Sequence, residues 1–103
     1  MSNWTFITSH GAVLSTVAKH GKIKAIDIAL ELGMTERSIH RIINDLVAEG
    51  YIDKKREGNV NRYNINNDLP LRRQSMKYLK VKDLLEAFSM TSEDGTRYTS
   101  PNT

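Results

Sequence analysis

The segment from Gly33 to Gly50 constrains this chain more than any other. Ile39, Ile42, Ile43, Leu46 and Val47 recur at i, i+3, i+4, i+7 and i+8, the spacing of a helix buried along one side. At about 100° per residue, Arg37, Arg41, Asn44 and Ala48 fall within roughly 30° of the opposite pole. Thr35 is a good N-cap for this helix, and Glu36 sits favourably in the first turn of its dipole. Ser38 stands where a full capping box would carry Glu or Gln. The spacing predicts a helix running to about Glu49, with Gly50 as its stop. Two arginines, an amide and a small residue on the outward side suit the major groove of duplex DNA, where Arg pairs with guanine and Asn with adenine.

At 103 residues the chain has room for one core and no second ligand-binding domain. Its net charge is +3, unevenly spread: residues 1–82 carry 14 Lys and Arg against 8 Asp and Glu, whereas residues 83–103 carry one Arg against four acids. A basic body with an acidic end suits a polyanionic partner. Cysteine is absent, which excludes disulfides and thiolate metal sites. His10, His20 and His40 share no metal-ligand spacing, so no metal and no cofactor is expected. The acids are scattered, no serine lies in a nucleophile motif, and no glycine-rich phosphate loop occurs, so the chain is not expected to be an enzyme. No apolar run approaches the length of a membrane span and no signal pattern is present, which points to the cytoplasm and away from a membrane.

Ahead of the central helix, Thr8 or Ser9 can cap a first helix whose buried stripe is Val13, Leu14, Val17 and Ala18, ended by Gly21. Ile23 can form a strand of one or two residues. Ala25 to Leu32 reads as a second helix through Ile26, Ala29 and Leu32, stopped by Gly33. Two helices joined by so short a turn, the second more basic outside, form a helix-turn-helix pattern. A hairpin follows: Tyr51 to Arg56, a turn at Glu57-Gly58-Asn59, and Val60 to Ile65. Tyr63 and Ile65 share the inner face opposite Ile52 by period two. Lys54, Lys55, Arg56 and Arg62 gather around the hairpin tip, and Asn59 and Asn61 add amides that can reach phosphate or a groove edge. A last helical region is expected from Leu71 to about Ser89, as one helix or as two pieces broken near Leu79-Lys80. Residues 91–103 are rich in Ser and Thr and nearly devoid of apolar residues, the composition of a disordered tail.

The order helix, short strand, helix, turn, helix, hairpin resembles the winged helix-turn-helix domain of small prokaryotic transcription regulators, the broad group around the ArsR and MarR families. The residues that carry the resemblance are Ile23 to Thr35, then Ile39, Ile42, Leu46 and Glu49-Gly50-Tyr51-Ile52, with Lys55 to Asn59 and Arg62 to Ile65 in the wing. It covers residues 10–66. The implied fold is mainly α with a small β-hairpin: a three-helix core, a wing of two or three strands, and a C-terminal helical extension. Residues 1–68 form the winged helix, 69–90 the extension and 91–103 the tail.

In such domains the third helix enters the major groove while the wing touches backbone or the adjacent minor groove. Carried over by position, Arg37, Ser38, His40, Arg41 and Asn44 become base or phosphate contacts, and Thr35 a cap that also reaches phosphate. Arg56, Asn59, Asn61 and Arg62 become wing contacts, and Lys54 and Lys55 join the expected DNA-binding set from the basic cluster at the hairpin tip. The resulting expectation is a sequence-specific regulator that binds double-stranded DNA. Two alternatives stay open: a winged-helix protein-interaction module in a larger assembly, and a winged helix for RNA or single strands. The latter is disfavoured by the scarcity of aromatics on the basic face. The stripe Val81, Leu84, Leu85 and Phe88 either completes the monomer core or pairs with a second subunit. A homodimer is the expectation, with Trp4 and Phe6 contributing, because dimers read two half-sites about 34–36 Å apart.

Overall fold

The computed structural model describes residues 5–88. Its elements run α1 (Ser9–His20), β1 (Lys22–Ile23), α2 (Ala25–Leu32), α3 (Glu36–Ala48), β2 (Ile52–Glu57), β3 (Val60–Ile65), a single 3-10 turn (Gln74–Met76) and α4 (Val81–Phe88). The described residues fall into two units, one ending at Asn66 and the other beginning at Asn67.

In the first unit α3 packs against both α1 and α2. α1 and α3 open on side-chain caps, whereas α2 follows Lys24 without one. The Thr8 hydroxyl accepts from the Gly11 amide at 3.1 Å to open α1. The Thr35 hydroxyl accepts from the Ser38 amide, also at 3.1 Å, to open α3. Between α2 and α3 the chain reverses at Gly33, which lies in the left-handed region at φ 66°, where a side chain would be strained. The Met34 amide donates to the Ala29 carbonyl at 2.9 Å, closing the end of α2 before Thr35 begins the next helix. Replacing Thr35 by Ala should cost about 1 kcal/mol, a fall of roughly 4–8 °C in Tm for a domain of this size, read by thermal denaturation. Thr35→Ser should keep nearly all of it.

The core is built from Val13, Leu14 and Val17 of α1, Ala25, Ile28 and Ala29 of α2, and Ile39, Ile42, Ile43 and Leu46 of α3. Ile23, Ile52 and Tyr63 of the sheet complete it. Two expected faces are rotated. On α2 the buried stripe is Ala25, Ile28 and Ala29, while Ile26 and Leu30 are 43% and 74% exposed. A helix with apolar residues around most of its circumference does not specify its inner side; the elements packed against it do. On α1, Thr16 takes an inner position in place of Ala18 and satisfies its hydroxyl by donating to the Ala12 carbonyl at 2.9 Å. Val47 lies at the margin of the α3 stripe, 37% exposed.

The sheet is three-stranded and antiparallel, in the order β1-β3-β2. Lys22 pairs with Arg62 and Ile23 with Asn61, so β1 joins the hairpin as its third strand. The hairpin register runs from Ile52–Ile65 to Glu57–Val60. Glu57 therefore belongs to β2, and the turn has only two residues, Gly58 and Asn59. Gly58 carries the positive φ of 65° and Asn59 does not, the pattern of a type II′ turn with glycine at its first central position.

In the second unit the expected alternative broken near Leu79-Lys80 is the nearer one, with a single 3-10 turn before the break and the helix after it. A continuous helix from Leu71 does not form. Pro70 and Lys80 form an isolated antiparallel bridge, the Leu71 amide donates to the Leu79 carbonyl, and the Val81 amide donates to the Leu69 carbonyl, both at 2.9 Å. Arg72 to Ser75 offers no apolar period to bury, and Pro70, lacking an N–H, sits at an extended bridge rather than a helix start. The helix begins only at Val81, where the Asp83 carboxylate reaches back to accept from the Lys80 amide at 2.8 Å, half of a capping box. Val81 is fully buried, Leu84 and Leu85 are half-buried, and Phe88 is 38% exposed. Trp4, the expected helix end at Ser89 and the expected disordered tail at 91–103 lie outside the described residues.

Candidate nucleic-acid interface

The α3 helix has one side in the core and one in solvent. Arg37, Arg41, Asn44 and Ala48 all fall on the exposed side. Arg37, Arg41 and Asn44 make no hydrogen bond or ion pair among the described residues. Two like charges four apart on a helix repel mildly, so this arrangement costs the isolated protein something and returns nothing within it. The other α3 candidates are partly committed. Ser38 is half-buried, and its hydroxyl takes a hydrogen bond from the Thr35 hydroxyl at 2.9 Å. His40 stands 3.5 Å from Glu36, one turn back on the exposed surface. Asp45 pairs with His10 of α1, Nε2 to Oδ2 at 2.7 Å.

Strand register divides the hairpin cations between two faces, because side chains alternate along a strand. Lys54 and Arg56 share the side of Ile52, opposite Tyr63 and Asn61 on β3. Lys55 and Arg62 lie directly across from each other on the reverse side, which Lys22 joins through its pairing with Arg62. The acid Glu57 occupies this second face. Its carboxylate accepts from Arg62 Nε at 2.8 Å and meets Lys22 Nζ at 3.5 Å. The hydrogen bond from Arg62 holds the Glu57 carboxyl below the usual carboxylate range, and the same bond raises the Arg62 guanidinium further. On the first face, Arg56 Nε donates to the Gly58 carbonyl at 2.8 Å, folding the side chain back over the turn. The Asn61 amide lies 3.5 Å from the Tyr63 hydroxyl, and Asn59 is exposed in the turn itself. Lys54 and Lys55 are exposed and have no partner among the described residues.

The sequence-expected residues thus separate into a free set, Arg37, Arg41, Asn44, Lys54, Lys55 and Asn59, and a tethered set, Thr35, Ser38, His40, Arg56, Asn61 and Arg62. Sequence reading missed three participants. Lys22 reaches the wing face only through the β1–β3 pairing. Glu57, assigned to the turn, is the acid that neutralises part of that face. His10 is bound to the exposed side of α3 across 35 positions of sequence, and no local pattern signals this. Away from this surface, His20 and Lys19 of α1 hold Glu31 of α2 at 3.0 and 3.4 Å. Burial pushes the Glu31 carboxyl up, but the hydrogen bonds from His20 and Lys19 outweigh it and leave the group below its ordinary value. Among the described residues no group of three or more His, Asp or Glu is placed to hold a metal ion, and no helix is long and apolar enough to cross a membrane.

Comparison with known proteins gives the same architecture. Eight chains of solved structures match. One of them, the AntR antimony-specific transcriptional repressor, superposes with a TM-score of 0.50 over 85% of each chain at 18% sequence identity, a likeness of fold. No curated protein sequence gives a significant match. The family model for the MarR family matches residues 5–62, which span α1 through most of β3 and more than half of the chain. The chain belongs to the MarR family of winged-helix transcription regulators.

Proposed function

We propose that this protein is a sequence-specific transcription regulator that binds double-stranded DNA, with α3 in the major groove and the hairpin on backbone and the adjacent minor groove. One observation carries the reading: the exposed side of α3 presents two arginines and an asparagine that nothing within the described protein engages. Guanidinium and carboxamide are the groups that read guanine and adenine bidentately from a helix in the groove. The free lysines of the hairpin supply contacts to phosphate that orient without specifying. The chemistry takes place in the cytoplasm, where the DNA is, and asks for no cofactor. Selection from random duplex DNA with the purified protein tests it. A consensus with two-fold symmetry is expected; recovery of no enriched sequence would remove the specificity claim. A single feature favours a protein partner instead, the exposed apolar pair Ile26 and Leu30 one turn apart on α2.

The regulator acts as a homodimer in this proposal, with Leu84, Leu85 and Phe88 of α4 at the subunit contact and Trp4 and Phe6 contributing. Phe6 is 90% exposed and Phe88 is 38% exposed, and apolar surface left uncovered marks an interface. Val81 is already fully buried within the chain and has no surface left to offer. Leu85→Asp or Phe88→Asp should give a folded monomer by light scattering coupled to size exclusion. A wild-type monomer at tens of micromolar would assign the stripe to the subunit's own packing. Loss of the dimer removes one half-site, so DNA affinity should fall further than any single contact explains.

A further inference from the structure

We infer that His10 is a positioning residue for DNA binding: by occupying the Asp45 carboxylate it keeps the Arg41 guanidinium free. This rests on the DNA-binding reading and extends it to a residue outside the helix-turn-helix.

His10 belongs to the first turn of α1 and Asp45 to the second half of α3. Nε2 of His10 stands 2.7 Å from Oδ2 of Asp45, with the two side chains 50% and 55% exposed. A carboxylate only accepts, so the imidazole presents its Nε2 proton to Asp45 whether the ring is charged or neutral.

Arg41 lies four residues before Asp45 on the same helix, the spacing at which opposite charges on a helix surface meet. An isolated α3 would therefore turn Arg41 toward Asp45. In the folded protein it does not: Oδ2 of the carboxylate is held by His10, and Arg41 makes no hydrogen bond or ion pair among the described residues. An imidazole and a guanidinium compete for one acid, and the packing of α1 on α3 decides between them.

The consequence for nucleic acid is larger than the strength of either pair. A guanidinium folded onto Asp45 is neutralised, and its planar fork is turned away from the paired acceptors of a guanine. Loss of His10 brings this penalty, and removal of the Asp45 charge cancels it.

The test is a double-mutant cycle on the full chain, with H10A, D45N and H10A/D45N titrated against the duplex recovered by selection and against a random-sequence duplex. H10A is expected to weaken binding roughly three- to tenfold, in keeping with exposed ion pairs that shift by about 1 kcal/mol. D45N should bind at least as well as wild type, and H10A should have no effect in the D45N background. In the DNA-free protein the Arg41 Nε–Hε resonance should move in H10A and stay at its D45N position in the double mutant. An equal loss from H10A in both backgrounds would overturn the proposal and make His10 a support of the fold, as would an Arg41 resonance indifferent to H10A. Failure of the wild-type protein to bind any duplex would overturn the DNA-binding reading itself, while the resonance would still report whether His10 controls Arg41.

Discussion

Affinity for duplex DNA is expected to fall roughly 10³–10⁵-fold between about 50 and 200 mM salt, the response of a protein that makes on the order of 6–10 phosphate contacts. Each cation that meets a phosphate releases a condensed counterion, and the released ions are what added salt opposes. The cations available for this are visible in the structure. Lys54 and Lys55, which face phosphate, and Arg37 and Arg41, which displace counterions from the groove they enter, have no partner among the described residues, four cations in one subunit and eight in a dimer. Arg62 and Lys22 are already compensated by Glu57 and add less. Fluorescence anisotropy across a salt series measures the slope. Binding that hardly changes over the range, or none at low salt, would move the reading to the protein-interaction module.

The second large effect is the joint replacement of Arg37 and Arg41 by Ala. Each arginine that pairs with a guanine contributes about 1–3 kcal/mol of discrimination. Two that read different bases should together cost roughly 2–6 kcal/mol on the selected duplex, a loss of about 30-fold to above 10⁴-fold. The loss on a random duplex should be much smaller, so base preference relaxes along with affinity. Lys55→Ala, by contrast, should weaken selected and random duplexes by similar factors, because a phosphate contact carries no sequence information. Unfolding is not a competing explanation: both arginines are exposed and unpartnered, and such substitutions move stability by no more than about 0.5 kcal/mol. Equal losses of the double variant on both duplexes would mean that α3 orients the domain without reading it.

The exposed side of α3 is legible in the sequence, and the reason is local. The run from Ile39 to Leu46 has a single strongly apolar side, so its opposite pole is defined by helical geometry alone. Thr35, Gly33 and Gly50 act through their own backbone and side-chain preferences, and the observed boundaries Glu36–Ala48 follow them. The hairpin was equally legible in outline. Its turn was placed one residue too early, at Glu57, and that matters because a strand's faces alternate. Once Glu57 is paired with Val60, the cations sort into one face with Lys54 and Arg56 and another with Lys55 and Arg62.

Local preference was too weak where it met competing choices of partner. On α2, the expected face of Ile26, Ala29 and Leu32 kept Ala29, but the packing of α1 and α3 buried Ala25 and Ile28 beside it and left Ile26 exposed. Between Leu69 and Val81, scattered leucines were compatible with a helix, and the chain instead closes a loop by backbone pairing across Pro70 and Lys80. Propensity differences of about 0.5 kcal/mol per residue are easily overruled by such pairing.

The free state of Arg41 belongs to neither group. Within α3 alone its natural partner is Asp45, and the amino-acid order around it is satisfied by that pair. Only the docking of α1, which carries His10 to 2.7 Å from the same carboxylate, releases it. Helix ends, turn glycines and the amphipathic period are settled within a few residues of chain, so they can be read in one dimension. Which of two donors a carboxylate holds depends on groups 35 residues apart being brought together by a shared core, and that is settled only in three.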